Sequence, residues 1–195
     1  MHSTSDSMDL TENEKKFLLE IARKSIEHYL STGNPLELGP SEVPSENLIK
    51  EGACFVTLRK GDELRGCIGS LEAQKPLFKD VIDNAVASAV GDPRFPPLSP
   101  SELQNVRISI SVLTEPKEFP VSGPEELLEK LVPGKHGLIL QKGLAKATFL
   151  PVVWEELPDK EEFLSHLSIK AGLAPDGWKD PQTRFFMYEA IEFSE

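Results

Sequence analysis

Between Gly52 and Ser70 the chain alternates twice in strand fashion, as Ala53-Cys54-Phe55-Val56-Thr57-Leu58 and again from Glu63, with only Lys60-Gly61-Asp62 available for the turn. A connection that short joins neighbouring antiparallel strands, because a parallel pair needs a crossover of about a dozen residues or more. The pattern returns after the turn residues Gly134-Lys135-His136-Gly137, with Leu138 to Gln141 facing Ala145 to Phe149. A sheet built mainly from hairpins is predicted, which rules out a doubly wound parallel fold.

Helical periodicity fills much of the remainder. Thr11-x-x-Glu14 reads as a capping box ahead of Phe17, Leu18, Ile21, Ala22, Ile26, Tyr29 and Leu30, with Gly33 as the stop. Pro76 opens a second helix whose Leu77, Phe78, Val81, Ile82, Ala85, Val86, Ala89 and Val90 leave little polar surface. Between the first helix and the first hairpin, Pro35, Pro40 and Pro44 predict an extended connector. Pro96-Pro97 makes Asp92 to Leu98 a stiff loop. Ser99 starts a short capped helix, Val106 to Leu113 alternates as a strand, and Ser122-Gly123-Pro124-Glu125 caps a helix to about Leu131. Helices are expected at Pro151 to Leu157 and Asp159 to Ala171, and one long strand from Thr183 to Phe193. The fold class is α+β: antiparallel sheets with flanking helices, either one domain or two closely packed subdomains.

Several functions are excluded at this level. A net charge of -11, with 32 carboxylates against 21 Lys and Arg, argues against non-specific nucleic-acid binding. The acidic stretch from Glu155 to Glu162 reads as a solvated face. There is no apolar run of about 20 residues to cross a bilayer, and the polar start Met1 to Asp9 lacks a secretory pattern, so a cytoplasmic protein with a disordered tail over residues 1–10 is expected. Two cysteines supply neither a disulfide framework nor a zinc pattern, and no nucleotide-binding glycine fingerprint or nucleophile elbow is present; no metal or cofactor is expected.

One hexapeptide stands apart: Leu64-Arg65-Gly66-Cys67-Ile68-Gly69, on the return strand of the first hairpin. Glycines weaken a strand, so Gly66 and Gly69 imply close approach of a ligand or of another backbone. Strict alternation would put Arg65, Cys67 and Gly69 on one face, where a guanidinium favours the thiolate and makes Cys67 a candidate nucleophile. The competing reading is a small buried hydrophobe, with Arg65 in a structural ion pair. Were Lys60-Gly61 the two-residue turn, Cys54 would lie directly opposite Cys67, a pair that a cytosolic chain keeps reduced.

The hexapeptide resembles the hallmark of the AMMECR1 domain family. The resemblance extends through Gly52 with Phe55-Val56-Thr57-Leu58, Asp92-Pro93-Arg94-Phe95-Pro96-Pro97-Leu98, Ile110-Ser111-Val112-Leu113, His136-Gly137-Leu138, Thr148-Phe149-Leu150-Pro151 and Lys170-Ala171-Gly172-Leu173, from about Thr11 to the C-terminus. It departs at Val152, where relatives often carry a polar residue. The resemblance implies a larger and a smaller subdomain with a cleft between them, and no defined activity. Microbial members are associated with Memo-like and radical S-adenosylmethionine proteins, the AmmeMemoRadiSam set, so partners of those kinds are an expectation.

Two functional classes remain. In an enzyme, Cys67 is the nucleophile or redox thiol and Arg65 its charge partner, while Asp92, Arg94 and His136 come from loops as acid, base or substrate holder. In a non-catalytic module, Arg65 and Arg94 hold an anion, Gly66 and Gly69 admit the small molecule or peptide, and Cys67 merely packs. Trp154 and Trp178 would then either anchor a partner or belong to local core.

Overall fold

The structure is a computed structural model that describes residues 9–195. In chain order the elements are α1 (Glu12–Thr32), α2 (Glu46–Ile49), β1 (Ala53–Lys60), β2 (Glu63–Gly69), α3 (Leu77–Val90), α4 (Pro100–Leu103), β3 (Arg107–Leu113), β4 (Lys117–Glu118), α5 (Pro124–Lys130), β5 (Gly137–Lys142), β6 (Ala145–Phe149), α6 (Lys160–Lys170), β7 (Arg184–Tyr188) and β8 (Ala190–Ser194). They form two compact units, one of residues up to Thr114 together with Ile191–Glu195, the other Glu115–Ala190. Each unit carries its own antiparallel four-stranded sheet, in the orders β2-β1-β3-β8 and β4-β7-β5-β6. The α+β class read from the hairpins is therefore the class observed.

In the first unit α1 and α3 cover one face of the sheet. The Thr11 hydroxyl and the Glu14 carboxylate cap α1 reciprocally, and Gly33 ends it at φ 75°, the left-handed geometry that glycine adopts without strain. Leu18, Ile21 and Ile26 of α1 and Phe78, Val81 and Ala85 of α3 close on Val56, Leu58, Ile108, Ile110 and Val112, all at most 3% exposed. Leu10, assigned to the tail from sequence, is buried in this core, and Asp9 before it is exposed; the rest of the expected tail, residues 1–8, lies outside the described residues. The connector predicted as extended is interrupted by a 3-10 turn at Pro40–Glu42 and by α2, which Ser45 caps.

The second unit packs α5 and α6 with its sheet around Leu127, Leu138, Leu140, Phe163, Leu164, Leu167 and Phe185. Trp154 stacks on Phe163 at 3.7 Å with the rings 2° from parallel, and its Nε1 donates to the His136 carbonyl. Trp178 is 3% exposed. Both tryptophans are local core, which removes them as partner anchors.

The single strand predicted from Thr183 to Phe193 is two strands. The chain pairs as β7 in the second sheet, breaks at Glu189 and pairs again as β8 in the first. No glycine or proline marks the break; Phe185 belongs to the core of the second unit, whereas Ile191 and Phe193 pack on that of the first.

Candidate functional site

The site begins with β2, an edge strand. Its turn is Gly61-Asp62, Gly61 taking φ 62°, so Lys60 faces Glu63. Arg59 then faces Leu64, but Leu58 faces Gly66: Arg65 is the extra residue of a bulge. The bulge shifts the remainder of β2 by one position, setting Cys67 opposite Thr57 on the outer face, whereas Cys54 lies with Val56 and Leu58 on the helix-covered face. The Lys60-Gly61 turn that would have set Cys54 opposite Cys67 is not the turn formed, and the bulge puts the two on opposite faces. Both cysteines are free.

Helix α3 explains the glycines. A β-carbon on Gly66 would collide with the Ser88 carbonyl oxygen, and one on Gly69 would strike the Phe55 ring. Of the two approaches that the sequence allowed, the structure records another backbone at Gly66. The Ser88 hydroxyl joins β1 to β2, donating to the Val56 carbonyl at 2.7 Å and accepting from the Ile68 amide at 2.9 Å. Nearby, the buried Asp80 accepts from the Cys54 amide (2.9 Å), Ser70 (2.8 Å) and Asn84 (3.0 Å). Burial and then the Asp80 charge push the Cys54 thiol well up, so Cys54 is inert.

Cys67 differs in every respect. It is half-buried, with Sγ 3.3 Å from the Thr57 hydroxyl. Its amide donates to Asp92 Oδ2 at 2.9 Å, and its carbonyl accepts from Arg94 Nη2 at 3.4 Å. Asp92, 4% exposed, receives Arg94 through Nε at 3.0 Å, Nη2 at 2.7 Å and the backbone amide at 3.1 Å. The guanidinium first, then the Cys67 and Arg94 amides, hold the Asp92 carboxyl far below the usual carboxylate range. An Asp92 so fixed is a permanent anion that clamps the edge strand, and it has no proton to trade near neutral pH.

Arg65 serves Glu102, with Nε 3.3 Å from Oε1 and Nη2 3.2 Å from Oε2. That pairing depresses the Glu102 carboxyl. The contact that the sequence suggested between Arg65 and the Cys67 thiol is thus replaced by an ion pair. Phe95 sits between the two cations, its ring centre 5.5 Å from Arg94 Cζ and 6.0 Å from Arg65 Cζ. His136 lies in the second unit, 8% exposed, its Nδ1 accepting from the Val132 amide at 3.1 Å. Burial lowers its pKa, which keeps the ring neutral. The structure brings Cys67, Asp92 and Arg94 together and adds Thr57, Ser88 and Glu102. These three come from β1–β2 register and from α3 and α4 packing, for which local sequence carries no signal. Among the described residues no group of three or more His, Cys, Asp or Glu could hold a metal, and no helix is long and apolar enough to cross a membrane.

Comparison with known proteins agrees with this picture. The AMMECR1 family model matches residues 19–193. Protein MK0488 of Methanopyrus kandleri is 45% identical over 95% of this chain and 90% of its own length. A Methanothermobacter thermautotrophicus protein is 41% identical over 95% and 96%. The crystal structure of the uncharacterized protein PH0010 from Pyrococcus horikoshii superposes with a TM-score of 0.89 at 39% identity, covering 95% of this chain and 93% of that one. On sequence and fold together, this chain belongs to the AMMECR1 family.

Proposed function

We propose that the chain works through the Cys67 thiol as a thiol-dependent component of a modification system, with Memo-like and radical S-adenosylmethionine proteins as its partners in a cytoplasmic setting. The observation that carries this reading is the contrast between the two cysteines. Cys54 is sealed and structural, whereas Cys67 is partly open and held by hydrogen bonds at both its amide and its carbonyl. A rigid backbone under an accessible sulfur is what positioning a nucleophile requires. The polar neighbour of Sγ is the Thr57 hydroxyl, which can relay a proton but does not hold a base's charge at neutral pH. The base therefore comes from the substrate or from a partner, which favours a component over a self-sufficient enzyme.

The test is iodoacetamide alkylation of the native chain between pH 8 and pH 6, read by intact mass and peptide mapping. A single adduct on Cys67, with Cys54 unlabelled in the native chain, is the expected result. Labelling that waits for denaturation refutes the reading.

A second reading, a non-catalytic binding module, draws on Arg94, whose side chain is 55% exposed although its charge is matched by Asp92. Under it, Arg94→Gln lowers affinity for a co-purifying anion or partner; because that change also strips the buried Asp92 carboxylate of its cation, Arg94→Lys, which keeps a charge there, is the variant that separates lost binding from lost stability.

A further inference from the structure

The arginines of the hexapeptide and the proline loop have their charges answered by Glu102 and Asp92. Another pair on the same unit does not. In the continuous β1–β3 register Arg59 faces Arg107 and Thr57 faces Ser109, all four side chains on the sheet face opposite α1 and α3. Arg59 donates to the Asp62 backbone carbonyl at 3.2 Å, and Arg107, which is exposed, makes no hydrogen bond or ion pair with the described residues. Neither guanidinium meets a carboxylate among the described residues, in a chain where carboxylates outnumber cations by 32 to 21. Like charges directly opposite each other in a sheet are destabilising, so this arrangement weakens the fold unless an anion occupies it.

We propose that Arg59 and Arg107, with the hydroxyls of Thr57 and Ser109, form a binding site for a phosphoryl group. Adjacent strands lie about 4.8 Å apart and same-face neighbours about 6.6 Å apart along a strand, so the four β-carbons outline a patch about 5 by 7 Å. That spacing lets two guanidinium forks and two hydroxyls converge on one tetrahedral oxyanion. Two positive charges side by side favour a dianion over a monoanionic carboxylate. The Ser109 hydroxyl has no hydrogen-bond partner among the described residues and is half-buried, so it is available as a donor. Thr57 joins this patch to Cys67, its cross-strand neighbour on the other side. The site stands independently of the thiol reading, since anion binding needs no reaction at sulfur.

The experiment titrates inorganic phosphate and pyrophosphate into the full chain at constant ionic strength set with sodium chloride, by calorimetry and thermal unfolding. The expected result is saturable binding that raises the melting temperature. Arg107→Gln and Arg59→Gln should each weaken it about tenfold or more, in line with loss of one charge-assisted hydrogen bond of about 1.5–3 kcal/mol. The double variant should abolish it. Without phosphate, Arg107→Gln should melt no lower than the wild type, because removing one of two opposed charges relieves repulsion; this also shows that lost binding is not lost folding. Arg184→Gln, the same charge change on the second sheet, should leave binding unchanged. Absence of saturable binding, equal binding of acetate, persistence in the double variant or equal weakening by Arg184→Gln each overturns the proposal. Because none of these readouts involves alkylation of Cys67, failure here leaves the thiol reading standing, and the reverse holds.

Discussion

Gly66→Ala separates a packing glycine from a ligand-admitting one. The added methyl has to displace the Ser88 carbonyl, which is α3 backbone and cannot swing aside as a side chain could. Forcing a methyl into a well-packed contact costs about 1–3 kcal/mol. Moving α3 away also stretches the Ser88 hydroxyl from the Val56 carbonyl and the Ile68 amide, two bonds worth about 1 kcal/mol each. A total of about 3–5 kcal/mol corresponds to a fall in melting temperature of roughly 6–20 °C for a chain of this size. Thermal unfolding followed by far-ultraviolet circular dichroism measures it, and hydrogen exchange at the Ile68 amide locates it, with faster exchange expected in the variant. A melting temperature within about 1 °C of the wild type, or unchanged exchange at Ile68, refutes the close-packing account and returns Gly66 to the role of ligand access.

Because the folded pKa of Asp92 is depressed, its contribution is present above the ordinary carboxylate value and lost as pH falls below about 4; Asp92→Asn should cost about 2 kcal/mol at pH 7 and flatten acid unfolding below pH 4, measured by urea denaturation. His136 should titrate below its usual 6.5 and be protonated on Nε2 when neutral, read by nitrogen chemical shifts; titration at or above 6.5 contradicts the Val132 contact. Arg23 grips Glu195 and also donates to the Leu103 and Val106 carbonyls at 3.1 and 2.8 Å, while Glu195 accepts from the Ile108 amide, so Glu195→Ala should destabilise by about 1–2 kcal/mol and loosen β8 in hydrogen exchange.

Much of the architecture was legible because hairpin and helix patterns are local. The capping box at Thr11, the stop at Gly33 and both hairpins stand where their residues put them. The features that sequence missed depended on distant parts of the chain. The bulge at Arg65 leaves no local mark beyond the glycine after it, yet it moves Cys67 to the outer face, away from the face that carries Cys54. Two cores, rather than a turn residue, split the last strand at Glu189. At the site the residue types were legible and their partners were not. Asp92 and Arg94 were visible as charged loop residues, but that they fasten to each other and to the Cys67 backbone comes from how α3 delivers the loop to β2.

These attachments also decide what kind of partner the site can accept. An edge strand offers its free amides and carbonyls to any extended peptide, and β-augmentation is the usual way such an edge is used or misused. Here the Cys67 amide is taken by Asp92 and its carbonyl by Arg94. Strand addition at the hexapeptide would have to break an aspartate–arginine clamp whose carboxylate is 4% exposed. At Cys67 the strand therefore offers side chains rather than backbone, and the outer face presents the Cys67 thiol, the Thr57 and Ser109 hydroxyls and the unmatched Arg59 and Arg107. Such a face suits a compact anionic group better than a peptide backbone.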